Sequence, residues 1–80
     1  MRIPRNVTGQ SLVKKLKALG YQVTRQVGSH IRLTTQTKGV HHITVPNHNP
    51  IKVGTLSEIV KKIAEHHKMS KSDLIKKLFS

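Results

Sequence analysis

Six histidines stand in a chain of 80 residues that has no cysteine and only three acids, Glu58, Glu65 and Asp73. The acids all fall in the last third and at least seven residues apart. A two-metal nuclease needs several carboxylates around ions about 4 Å apart, and a glycosidase needs a carboxylate pair across its bond. Three scattered acids serve neither, and the lack of cysteine excludes thiolate zinc sites and disulfides. What remains is imidazole chemistry among fixed positive charges. Breaking a phosphodiester beside a 2′-hydroxyl needs a base for the hydroxyl proton, an acid for the leaving oxygen and cations around the phosphate. Histidine, which titrates near neutral pH, suits the first of these roles. His30 is the best placed, directly after Gly28-Ser29 and with Arg25, Arg32 and Lys38 close by in sequence. The same pattern also fits a solvated strand-edge histidine, and residue types alone leave both readings open.

The adjacent pairs His41-His42 and His66-His67 make no metal site by themselves. Neighbours on a strand point to opposite faces and neighbours on a helix lie about 100° apart. Neither metal nor cofactor is expected.

Fifteen Lys and Arg against three acids give a formal charge of +12. A field of that strength on a small body draws a polyanion, nucleic acid before anionic membrane or acidic protein. Lys14, Lys15 and Lys17, the pair Lys61-Lys62 and the pair Lys76-Lys77 are not interleaved with compensating acids, which favours phosphate or acidic-partner contact over plain solvation. No apolar run approaches the roughly 20 residues of a membrane span. Positions 1–6 carry charge with no apolar stretch behind it, unlike a secretory signal. A soluble, cytoplasmic protein is expected.

Those side chains need a frame. Leu12, Val13, Leu16 and Leu19 share a helical face, with Thr8 as cap and Gly20 as terminator, so a helix is predicted over about 9–19. The period then drops to two. Tyr21, Val23 and Val27 alternate with polar residues, Gly28-Ser29 turns the chain, Ile31 and Leu33 alternate next, and Val40 to Val45 follow after Thr37-Lys38-Gly39. Three antiparallel strands result, with Thr24, Gln26, His30, Arg32, Thr34, His42 and Thr44 expected on the uncovered face. Pro46-Asn47-His48-Asn49-Pro50 is a loop. Leu56, Ile59, Val60, Ile63 and Ala64 repeat at helical spacing after Gly54, with Thr55 as cap, and Ser70 with Asp73 opens a last short helix. The expected class is α+β, in the order α-β-β-β-α with helices packed on one face of a three-stranded antiparallel sheet. The chain is read as one domain over 1–80, with a core of about 7–64 and a C-terminal helical extension of about 66–80.

Several of these segments in this order resemble the HicA, or YcfA-like, family of toxin components. They are a lysine-rich first helix ending Leu19-Gly20-Tyr21, then Arg25-Gln26-Val27-Gly28-Ser29-His30, then Ile43-Thr44-Val45-Pro46-Asn47-His48, then Gly54-Thr55-Leu56 leading to Ile59. The resemblance runs from about Val7 to Ala64. It departs from the family pattern at Ile31, where many members carry a further histidine or an aromatic residue, and at Asn49-Pro50, where the pattern has a glycine. The resemblance implies a double-stranded-RNA-binding-domain-like fold, metal-independent endoribonuclease cleavage of mRNA, and neutralisation by a HicB-type antitoxin protein.

By that resemblance His30 takes the place of the family's catalytic histidine. Gly28 and Ser29 prepare its turn, and His48 matches a second histidine of the pattern, either in the reaction or in ordering its loop. Lys14, Lys15, Lys17, Arg25, Ser29, Arg32 and Lys38 are the expected RNA contacts. The alternative from a different class is a non-catalytic RNA-binding module of the same fold. A DNA-binding helical protein is a third reading, which the intervening strands disfavour for want of a recognition helix pair.

Overall fold

The computed structural model describes residues 3–79, so Met1 and Arg2 of the N-terminal stretch and Ser80 lie outside it. Helix α1 runs Gly9–Ala18, and its start is fixed by a reciprocal cap. The Thr8 hydroxyl accepts from the Ser11 amide at 3.0 Å, and the Thr8 amide donates to the Ser11 hydroxyl at 3.2 Å. Leu12, Val13 and Leu16 carry its buried stripe. The first helical residue is a glycine for a steric reason. A Cβ on Gly9 would lie 2.5 Å from the Pro46 carbonyl oxygen and 2.7 Å from the Asn47 Cα, both of them backbone atoms.

Strands β1 (Gln22–Val27), β2 (His30–Thr35) and β3 (His41–Pro46) form one antiparallel sheet with β2 in the centre. Gly28, at φ +57°, takes the left-handed conformation that the two-residue turn into β2 requires. Ile31 and Leu33 of β2 and Ile43 and Val45 of β3 alternate inward and are buried under the helices. β1 behaves differently: all six of its residues are exposed. Its register slips between Val23 and Arg25, leaving Thr24 as a bulge.

That bulge overturns part of the expected face. Past it, Arg25 pairs with Arg32 and Val27 with His30, so both join the open face, whereas Gln26 pairs with inward-facing Ile31. A strict alternation from Tyr21 to Val27 puts Gln26 on the open face and Val27 on the covered one. One extra residue reverses that order, because the side-chain period is two.

Helix α2 (Val53–His66) buries Leu56, Ile59, Val60, Ile63 and Ala64, the stripe read from the sequence. It begins three residues earlier than a Thr55 cap would place it, with Lys52 at the N-cap making no side-chain bond and Gly54 and Thr55 inside the first turn. The cause lies upstream. Buried Ile51 donates its amide to the Val7 carbonyl at 2.8 Å, so the chain is already seated when the helix starts. Helix α3 (Lys71–Phe79) is capped by Ser70, whose hydroxyl accepts from the Asp73 amide at 3.0 Å. It sends Leu74, Ile75 and Leu78 into the same core as α1, α2 and the sheet. Fully burying each such side chain is worth about 1.5–3 kcal/mol, so the last helix is part of the fold's foundation. The whole is a two-layer α+β arrangement of the double-stranded-RNA-binding-domain type with a third helix. A shortest extent of 18 Å leaves no room for a layer over the open sheet face.

One polar cluster closes the end of the molecule where the β2–β3 turn meets the end of α2. The hydroxyl of buried Tyr21 lies 2.8 Å from His41 Nδ1 and 3.1 Å from His67 Nε2. His66 stacks on His41 at 4.4 Å between centroids and donates from Nε2 to the carbonyls of Thr37 and Gly39, at 2.9 and 3.1 Å. Lys38 donates from Nζ to the His67 carbonyl at 3.0 Å, placing a cation at the negative end of α2. A tyrosine hydroxyl has one proton, so it donates to one imidazole while the other imidazole donates to its oxygen. Two imidazolium rings would leave that proton without an acceptor. Burial first, then the charges of His66 and His42, holds His41 below the ordinary 6.5. Burial, followed by His66, His41, Lys38 and Lys77, does the same for His67. Burial also pushes the Tyr21 hydroxyl up to about 12.

Two outcomes are expected. Gly9→Ala should destabilise the protein by about 1–3 kcal/mol, the usual cost of forcing an atom into a packed site, measured as a lower urea midpoint at unchanged slope. Because His41 and His67 titrate lower when folded than the unfolded value of 6.5, their contribution is complete above that pH and is lost as pH falls through the folded values. The urea midpoint should therefore hold steady at neutral pH and drop on acidification, and His67→Gln should flatten the drop. An unchanged acid limb in that variant would assign it to other groups.

Candidate nucleic-acid interface

The open face of the sheet reads as three rows of cross-strand neighbours. Val27, His30 and Pro46 form the row nearest the β1–β2 turn, Arg25, Arg32 and Thr44 the middle one, and Gln22, Thr34 and His42 the far one. His30, Arg25 and Arg32 are all exposed. The Arg25–Arg32 pair is unusual, since like charges directly opposite one another destabilise a sheet by up to about 1 kcal/mol. No acid relieves it, because α1 and the three strands contain no Asp or Glu.

Around His30 three segments meet. The Asn47 amide donates to the Ser29 carbonyl at 2.6 Å, and the Gly9 amide donates to the His48 carbonyl at 2.9 Å. Gln10 reaches Asn47 Oδ1 from Nε2 at 3.3 Å. The β1–β2 turn with Ser29 and His30, the β3–α2 loop with exposed His48, and the positive end of α1 thus form one corner. From that corner an open groove runs along α1, lined by Thr8, Gln10, Ser11, Val13, Lys14 and Lys17. Gln10, Lys14 and Lys17 follow one face of the helix over about 10 Å. Gly28 serves this corner through its backbone conformation, and a Cβ there would meet nothing within 4 Å.

The expected contacts therefore divide. His30, Ser29, Arg25, Arg32, Lys14 and Lys17 face solvent on or beside the corner, and His48 lies in the loop tied to it. Lys38 belongs to the opposite end of the sheet, where it holds the end of α2, so its closeness to His30 in sequence is not closeness in space. Lys15 is half-buried on the helical side, its Nζ 5.7 Å from the centroid of the Phe79 ring. Both lysines have packing duties that a count of charges does not reveal. Sequence reading also missed the Tyr21, His41, His66 and His67 cluster, whose members come from three separate stretches of chain: just before β1, the start of β3 and the end of α2. Among the described residues no group of three or more His, Cys, Asp or Glu is arranged to hold a metal ion, and no helix is long and apolar enough to cross a membrane.

No curated protein and no solved structure matches the chain. The family model described as the HicA toxin of bacterial toxin-antitoxin systems matches residues 9–65, from the first residue of α1 to the last turn of α2 and including every strand. With that match covering well over half of the sequence, the chain belongs to the HicA toxin family.

Proposed function

We infer that this toxin is an endoribonuclease that cleaves mRNA with His30, without a metal, and is silenced by a HicB-type antitoxin. The observation that carries the reading is the exposed His30 standing one row from an unrelieved Arg25–Arg32 pair. A fold that tolerates a like-charge pair on an acid-free face has a use for it, and a bound phosphate is the group that removes the repulsion. In the reaction His30 takes the proton of a 2′-hydroxyl as that oxygen bonds to phosphorus. The bond from phosphorus to the 5′-oxygen breaks, and the leaving oxygen takes a proton from water or from the imidazolium formed in the first half of the step. The products are a 2′,3′-cyclic phosphate and a 5′-hydroxyl. Arg25 and Arg32 hold charge on the phosphate oxygens, the Ser29 hydroxyl stands beside them, and Lys14 and Lys17 track the flanking strand. His48 orders the loop at the back of the corner.

An antitoxin that covers His30 with an acidic segment silences a one-histidine site at its single vulnerable point. Added salt should slow that association, as in electrostatically steered encounters.

His30→Ala should lower the cleavage rate of a mixed-sequence RNA in excess chelator by about 10²–10⁴-fold, with RNA binding retained and cyclic phosphate ends produced by the parent alone. Intact RNA with both proteins, despite tight binding, would support the non-catalytic RNA-binding module instead. Arg25→Thr should move two readouts in opposite directions. It should raise stability by roughly 0.2–1 kcal/mol through relief of repulsion, and reduce the salt slope of RNA binding by about one.

A further inference from the structure

The open face has a second concavity, which cleavage at His30 does not use. Gln22 and Thr24 of β1, Thr34 of β2, and Gln36 and Thr37 just beyond line a hollow of about 360 Å³ with Gly20 at its rim. Small-ligand pockets span about 300–1,000 Å³. Its hydroxyls are arranged as a chain across the sheet. Thr24 Oγ1 lies 2.9 Å from Thr34 Oγ1, which lies 2.8 Å from His42 Nδ1. Two carboxamides and three hydroxyls offer donors and acceptors without a formal carboxylate or ammonium charge, and the exposed His42 imidazole stands behind Thr34.

We propose that this hollow is a base-reading subsite, which holds the edge of one unpaired nucleotide of a single-stranded RNA laid along β2. The proposal shares the RNA substrate with the ribonuclease reading but does not depend on cleavage. Three observations favour it. The lining suits a nucleobase edge, which is uncharged and presents both donors and acceptors, whereas a phosphate is served by the Arg25–Arg32 pair between the hollow and His30. Thr34 stands four residues along β2 from His30 on the same face, about 13 Å away, so one strand of RNA can reach both. The lining also holds no aromatic or large aliphatic residue to anchor a protein, the kind of side chain that dominates protein interfaces. An unpaired nucleotide suits the hollow better than a duplex, whose base edges are split between a deep, narrow major groove and a shallow minor groove recognised mostly by shape, whereas an unstacked base presents its whole pairing edge.

The test is equilibrium binding of short single-stranded homopolymers of A, C and U to the His30→Ala protein in chelator, which keeps the RNA intact. Affinities should differ by about tenfold or more between bases. Adding Gln22→Ala and Thr34→Val should compress that spread to about threefold or less, whereas adding Arg25→Ala should weaken all three RNAs alike. Gln22 is exposed on an edge strand, so Gln22→Ala alone tests the same point should the Thr34 variant fail to fold. Equal affinity for all bases overturns the subsite, as does a spread that survives the pocket substitutions. Loss of binding to an acidic protein partner with base selectivity intact also overturns it and assigns the hollow to that partner. A parent that selects bases yet never cleaves sinks the ribonuclease reading and leaves the subsite standing. Cleavage dependent on His30 without base selectivity does the reverse.

Discussion

Three backbone hydrogen bonds hold the corner around His30 together: Gly9 to His48, Asn47 to Ser29, and Ile51 to Val7. Each joins segments distant in sequence, and each uses a peptide group at the end of an element where the regular ladder has run out. The first and third are satisfied only if the start of α1 meets the chain after β3, a contact in which Gly9 has no room for a side chain. From this contact follow the seat of α2, the position of the loop bearing His48 and the height of the β1–β2 turn bearing His30. A site built on backbone contacts can vary its exposed side chains while its frame stays fixed.

The six histidines do two kinds of work, and burial separates them. His30, His42 and His48 are exposed and accessible to a ligand. His41, His66 and His67 are spent on Tyr21 and on turn carbonyls, and desolvation lowers the pKa of the first and last of these. In a chain with so few carboxylates, a buried polar junction cannot be neutralised by ion pairing. Imidazole and phenol, which can pair while uncharged, are the chemistry that remains. The cationic surface and the histidine–tyrosine junction thus have one compositional origin.

The elements were largely legible because their signals are local. Apolar residues at helical spacing marked α1, α2 and α3, Thr8 and Ser70 marked caps, and Gly28 marked the hairpin turn. Signals that depend on tertiary contact were silent. Nothing near Thr24 announces a bulge, so Gln26 and Val27 were assigned to the wrong faces. The start of α2 was misplaced because Ile51 is seated by Val7, more than forty residues earlier. Lys38 and Lys15 read as free cations until the end of α2 and the ring of Phe79 were seen beside them. His30 stood out through its neighbours and its family likeness, yet the row of arginines behind it depends on a register that only the folded sheet displays.

The bulge at Thr24 also bears on how the protein behaves in a crowd of its own copies. β1 is an outer strand with both faces bare, the kind of edge on which further strands can stack into fibrils. An added strand would need a continuous run of evenly spaced amides and carbonyls. Here the run breaks after Val23 and resumes at Arg25 with its spacing shifted, so no regular strand can match both halves at once. Arg25 adds repulsion between identical edges. The irregularity that brings an arginine to the open face thereby keeps the exposed edge from serving as a template for aggregation.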